Sequence, residues 1–150
     1  MSIFRAMNTS ASALTAQRLR MDIVSSNIAN ADATRAVQNE NGKWEPYRRK
    51  MPVFQSEGSG FRSHLSQART GSGEDGGVKV SRIVEDPEPF KTVYNPNHPD
   101  ADEEGYVEMP NVDPLQEMVD LMSSTRSYEA NVTAVNASKN MLMKALEIGK

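Results

Sequence analysis

Both ends of this chain carry an apolar residue every three or four positions. At the N-terminus Ile3, Met7, Ser10, Leu14, Gln17, Met21, Val24 and Ile28 step 4-3-4-3. Near the C-terminus Met118, Leu121, Thr125, Tyr128, Val132, Val135, Lys139, Leu142 and Leu146 step 3-4-3-4. That period puts each set on one face of a helix, as in a coiled-coil seam. Between them lies a stretch rich in Gly, Pro, Ser and charge. Ordered ends around a polar insert favour a chain that pairs its ends. An enzyme would instead be expected to wrap a pocket.

Composition points the same way. The chain has 150 residues, one ordinary domain's worth, with a hydrophobic fraction of 37% and nine aromatic residues. Mean hydropathy is -0.61, low for a deep globular core. Long, thin packing suits it better. The net charge of -3 argues against nucleic-acid binding. Charge is unevenly placed, with a basic knot at Tyr47-Arg48-Arg49-Lys50 and an acidic run from Asp100 to Glu108. These read as solvated faces, or as patches that meet across a subunit boundary. There is no cysteine, hence no disulfide framework and no thiolate metal site. Charges interrupt every apolar run, so neither a transmembrane span nor a cleaved secretory signal is expected.

The first helix is expected from Ser2, its cap, to about Asn30, roughly 42 Å long at ~1.5 Å per residue. Its Ser, Thr and Asn content makes it marginal alone. Asn41-Gly42 signals a turn, and Tyr47 to Gln55 alternates as an edge strand carrying Pro52. Residues 56–77 hold six glycines and read as a flexible loop or a disordered insert. Residues 78–84, 90–94 and 106–109 read as further strands, giving one small antiparallel sheet. Asp86-Pro87-Glu88-Pro89 is a turn or stiff connector. The second helix starts strongly. Asp113 is the N-cap, Pro114 takes the first helical position, Gln116 completes a capping-box spacing, and Gly149 marks the stop. Ser10, Gln17, Thr125 and Lys139 interrupt the seams, and Ala130, Ala134, Ala137 and Met141 form a second stripe. Each helix should therefore touch several neighbours.

Few residues suggest chemistry. His64 and His98 are the two histidines, and neither has the setting of a catalytic base. Asp100, Asp102 and Glu104 with Gly105 mimic the start of a helix-loop-helix calcium site, but its twelfth position is Asn111 and prolines precede it. Seven of the nine methionines lie in or beside the helices, as gap fillers. No catalytic, cofactor-binding or metal-ligating residue is assigned.

Several segments together resemble the bacterial flagellar axial family of rod and hook proteins. Ser25-Ser26-Asn27-Ile28-Ala29-Asn30-Ala31-Asp32 is similar to the motif that closes the family's first helix. Pro46 to Lys50, Gly76 to Val80 and Gly105 to Asp113 resemble segments of its proximal-rod members. Ser124-Thr125-Arg126-Ser127-Tyr128-Glu129-Ala130-Asn131 is similar to its C-terminal motif. The match runs from the first helix to the last residues. Where the family often continues Thr-Pro-Gly-Tyr, this chain has Ala33-Thr34-Arg35-Ala36, which points to the proximal rod rather than the distal rod or hook.

The resemblance implies a non-enzymatic structural subunit of the basal-body rod. It would be exported through the flagellar type III apparatus, and its terminal helices would form an inner tube. The expected fold is mainly α: two long terminal helices pairing as an antiparallel coiled coil around a small β-rich, loop-rich middle. Residues 1–31 and 113–150 would form one discontinuous helical domain, with 32–112 as the middle segment. The expected assembly interface is Ile3, Met7, Leu14, Met21, Val24, Ile28, Met118, Leu121, Tyr128, Val132, Val135, Leu142 and Leu146. The family-motif positions are Asn27, Ala29, Asn30, Arg126, Tyr128 and Asn131. Expected partners are copies of the chain, other rod subunits, the flagellar base and the export apparatus. No cofactor, small-molecule substrate, nucleic acid or membrane insertion is expected. A non-polymerising coiled-coil adaptor and a calcium-regulated binding module are the alternatives.

Overall fold

A computed structural model of the chain describes residues 3–40, 42–57, 65, 68 and 76–149. The expected cap at Ser2, the turn residue Asn41, His64 and most of the Gly/Ser-rich loop lie outside the described residues.

Helices fill both ends. α1 spans Ile3–Ala29 and α2 spans Pro114–Ile148. The start of α2 follows its sequence signals. Asp113 Oδ1 accepts from the Leu115 amide at 3.0 Å, and the Asp113 carbonyl accepts from the Glu117 amide at 3.0 Å. That is an N-cap satisfying a donor that the helix leaves unpaired. α1 ends where Asn30 turns its side chain back, and Nδ2 donates to the Ser26 carbonyl at 2.8 Å. Among the described residues no helix is long and apolar enough to cross a membrane.

Among the described residues six strands lie between the helices: β1 Val37–Gln38, β2 Trp44–Glu45, β3 Lys50–Ser56, β4 Val78–Glu85, β5 Lys91–Tyr94 and β6 Tyr106–Met109. The single small sheet expected from sequence is instead three separate pairs, β1–β2, β3–β4 and β5–β6. Each pair joins strands adjacent in sequence, which keeps loop-closure entropy low. β1–β2 is antiparallel with Val37 opposite Glu45, and Gly42 turns its corner at φ +76°. β5–β6 is antiparallel with Lys91 opposite Met109 and Tyr94 opposite Tyr106.

The chain divides into two compact units. The first holds Met1–Met21, Pro52–Arg82 and Met122–Lys150. There the start of β4 lies hard against α1. The Val78 amide donates to Ser12 Oγ at 3.0 Å, and a Cβ on Gly77 would fall 1.8 Å from that same oxygen. Only a residue without a side chain permits this approach. Ala16 is buried on the same helix. Thr125 Oγ1 donates to Met21 Sδ at 3.6 Å, and Ser124 and Ser138 are buried along α2. Ser138 satisfies its hydroxyl within the helix by donating to the Ala134 carbonyl at 3.0 Å.

The second unit holds Asp22–Met51 and Ile83–Leu121. Its buried apolar residues are Ile23, Val24, Tyr47, Val107 and Val112. Buried with them are Asn27, Asp86, Asn111 and Glu117, so its interior is unusually polar. Gly105 closes the long β5–β6 connection at φ +83°.

Candidate assembly interface

Asn27 organises the interior of the second unit. It is 1% exposed and uses all its hydrogen-bonding capacity. Nδ2 donates to the Lys50 carbonyl at 2.9 Å and to Glu117 Oε2 at 3.0 Å. Oδ1 accepts from Tyr47 Oη at 3.0 Å and from the Lys50 amide at 3.0 Å. One side chain on α1 thereby binds the backbone of β3 and the first turn of α2.

Glu117 is 0% exposed. Its other oxygen, Oε1, accepts from Arg49 Nε at 2.6 Å. Arg49 also reaches Asp86 Oδ2 at 3.2 Å and Asp120 Oδ2 at 3.7 Å. Burial pulls the Arg49 pKa down, but its bonds and charge attraction to Glu117 and Asp86 outweigh this and leave it raised. Asn111 completes the node. Its Oδ1 accepts from the Arg49 amide at 2.8 Å and its Nδ2 donates to the Glu88 carbonyl at 3.1 Å. A network so fully satisfied favours one arrangement over others.

Two of the basic knot's cations, Arg48 and Arg49, are engaged within the chain, while Lys50 is exposed. Arg49 is taken by carboxylates distant in sequence. Arg48 stacks 4.3 Å over Phe90 and donates to the Asp86 and Glu88 carbonyls. The acidic run finds its cation within the chain as well. Arg35 pairs with Asp100, and Thr34 Oγ1 donates to Asp100 Oδ2 at 2.8 Å. Those two bonds, Arg35's first, hold the Asp100 carboxyl below the ordinary carboxylate range. Asp102 Oδ1 accepts from the amides of Glu104 and Tyr106 at 3.0 and 2.9 Å. Two of the three carboxylates in the calcium-like pattern, Asp100 and Asp102, thus serve an ion pair and a turn.

The seam residues are placed unevenly. Val24 is buried; Met7, Leu14, Met21, Ile28, Leu121, Tyr128, Val132, Val135 and Leu142 are half-buried. Ile3, Met118 and Leu146 are exposed. On α2 the buried positions are Glu117, Ser124 and Ser138, each one residue before the Met118, Thr125 and Lys139 of the seam read from sequence. Of the motif positions, Asn27 is the centre of the node and Asn30 caps α1. Asn131 donates to the Ser127 carbonyl at 2.8 Å, while Ala29 and Arg126 face solvent.

Sequence reasoning singled out Asn27 but not its partner Glu117, and it gave Arg49 and Asn111, which join the node through Glu117 and the Arg49 amide, no part in it. A carboxylate at the seam's own spacing, four residues before Leu121, was the available signal for Glu117. A cleft of about 620 Å³ lies beside Thr34, Arg35, Trp44, Asp100 and Tyr106, and its Asp100 carboxylate is taken up by Arg35 and Thr34. Among the described residues no three carboxylate, imidazole or thiol groups are arranged to hold a metal.

The two helical ends are also where family models match. Residues 7–36 match the flagella basal body rod protein family, and residues 103–148 match the C-terminal region of the flagellar basal body rod FlgEFG proteins. Along its whole length the chain is 66% identical to the flagellar basal-body rod protein FlgC of Bacillus subtilis, covering 100% of both chains. It is 43% identical to the protein of that name from Escherichia coli O157:H7 and 40% identical to that of Salmonella typhimurium, again covering 100% of both chains. The chain therefore belongs to the flagellar basal-body rod protein family, whose members are non-enzymatic structural subunits of the flagellar basal body.

Proposed function

We propose that this chain is a subunit of the proximal part of the rod and that it assembles through α1 and α2. Its partners are copies of itself and neighbouring rod subunits, with the flagellar base below and the export apparatus as its route out of the cell. Residues 1–31 and 113–150 act as one helical assembly domain, and 32–112 packs outside it. Within a subunit the helices pair antiparallel in coiled-coil fashion. The support is the order of two contacts: Met21 meets Thr125, while Asn27 meets Glu117. As one helix advances, the other retreats.

The observation that carries the reading is an inversion of the usual burial rule. α2 hides Glu117 and Ser124 at 0% exposure while Leu115, Val119, Leu146 and Ile148 stand 75%, 61%, 73% and 85% exposed. Phe4 on α1 is 65% exposed. Large apolar side chains left in water along two helices mark a surface that another chain covers. The expected seam residues Ile3, Met118 and Leu146 belong to that surface.

Deleting residues 1–30 tests the proposal in a motile strain that lacks its own copy. A rod subunit loses incorporation into basal bodies, and motility is lost with it. Normal motility with the deleted chain would overturn the reading, and retained partner binding without polymerisation would favour an adaptor.

A further inference from the structure

Among the charged residues of α1 and α2 that make no ion pair within the described residues, four fall close together in two pairs, Arg18 and Asp22 on α1 and Arg126 and Glu129 on α2, while Arg5 and Lys139 stand apart from them. All four are exposed. Each pair lies three or four residues apart and so shares a helix face. On α2 the same face continues toward the N-terminus as Leu115, Met118, Val119 and Met122, between 54% and 75% exposed. On α1 it continues toward the C-terminus as Ser25, Ser26 and Ala29, small and exposed. One face is large and apolar with a charge pair at its end. The other is small with a charge pair in the same chain order, basic then acidic, so that only an antiparallel approach sets opposite charges together.

We infer that these faces dock on one another between copies of the chain, antiparallel, with Arg126 against Asp22 and Glu129 against Arg18. In that register Met122 falls opposite Ser26 and Val119 opposite Ala29. Large side chains then fill the space that small ones leave, and both charge pairs meet their opposites. The parallel alternative fails on the same residues. With Arg126 on Asp22 it sets Glu129 beside Ser25 and Arg18 over Met122, leaving two charges unmatched against apolar or neutral groups. Charge complementarity thus selects both the occupant and its direction. The inference rests on the assembly reading above and names its contact.

Because the native chain has no cysteine, the contact is directly testable by disulfide capture. One chain carries Asp22→Cys and a second carries Arg126→Cys. The two are co-expressed, basal bodies are isolated, and mild oxidation follows. The expected product is a dimer linking the two substituted chains, absent when either is expressed alone. A control pairing Lys43→Cys with Arg126→Cys gives no dimer. If both chains enter basal bodies and no Asp22–Arg126 dimer forms, the contact is wrong while the assembly reading stands. If even the native chain is missing from basal bodies, both fall. Charge reversal supplies an independent readout. Arg126→Asp and Asp22→Arg should each reduce incorporation about tenfold, and the double reversal should restore it to within about twofold. Equal losses in single and double variants would overturn the pairing. Circular dichroism should show native helicity in every variant, because all four positions are exposed.

Discussion

Arg49 Nε donates to Glu117 Oε1 at 2.6 Å, and this bond ties the chain just before β3 to the first turn of α2. Glu117 is wholly buried, and that guanidinium is the cation in contact with its carboxylate. Arg49→Met should leave an uncompensated buried carboxylate and cost about 3–5 kcal/mol. Glu117→Gln should cost less, about 1–3 kcal/mol, because an amide oxygen can still accept from Arg49. Urea denaturation of the purified chain gives both numbers. An Arg49→Met midpoint equal to that of the native chain would show the pair to be unimportant.

Asn27 lies one contact away, with Nδ2 held 3.0 Å from Glu117 Oε2. Asn27→Asp replaces that donor with a second carboxylate. Two carboxylates at this range cannot both ionise cheaply, so one folded-state pKa rises above its unfolded value. Stability of the variant is then present below the unfolded pKa of about 4 and is lost as pH rises through the raised value. Thermal melts from pH 4 to pH 8 should show Asn27→Asp losing stability with rising pH, whereas Asn27→Ala should be destabilised at every pH. A flat profile for the Asp variant would contradict the geometry.

At the Arg35–Asp100 pair the sign is opposite. Arg35 and Thr34 lower the Asp100 carboxyl in the folded chain. Its contribution is present above the unfolded carboxylate pKa of about 3.9 and is lost as pH falls through the lowered folded value. Arg35→Ala should move the Asp100 titration up toward the ordinary carboxylate range. An NMR titration of the Asp100 side chain reads this directly, and an unmoved midpoint would refute the pairing.

Much of this fold was legible before the structure. Periodicity located both helices, Asp113-Pro114 located the start of α2, and strand-like runs located β4, β5 and β6 nearly to the residue. What periodicity did not show was which neighbouring positions on α2 turn inward. Hydropathy favours Met118 over Glu117 and Thr125 over Ser124. Glu117 goes inside because Arg49 and Asn27 meet it there, and those partners come from segments far away in sequence. Ser124 and Ser138 go inside because they are small. The three separate strand pairs were hidden for a related reason: strand signals mark the strands, while what lies on their free edges is a tertiary matter.

Gly77 gives the last prediction. A Cβ there would stand 1.8 Å from Ser12 Oγ and 2.5 Å from Ser12 Cβ, both part of α1. Neither contact is possible without movement, so Gly77→Ala must push β4 off the helix or displace Ser12. The Val78 amide would then lose its bond to Ser12 Oγ. A cost of about 1–3 kcal/mol follows from such overpacking. Adding Ser12→Gly removes the obstructing side chain and should recover part of that loss, despite the helix penalty of ~1 kcal/mol for glycine. Amide exchange at Val78 reports the effect locally: fast in Gly77→Ala, slow in the native chain. If Val78 stays equally protected in both, β4 does not depend on that close approach.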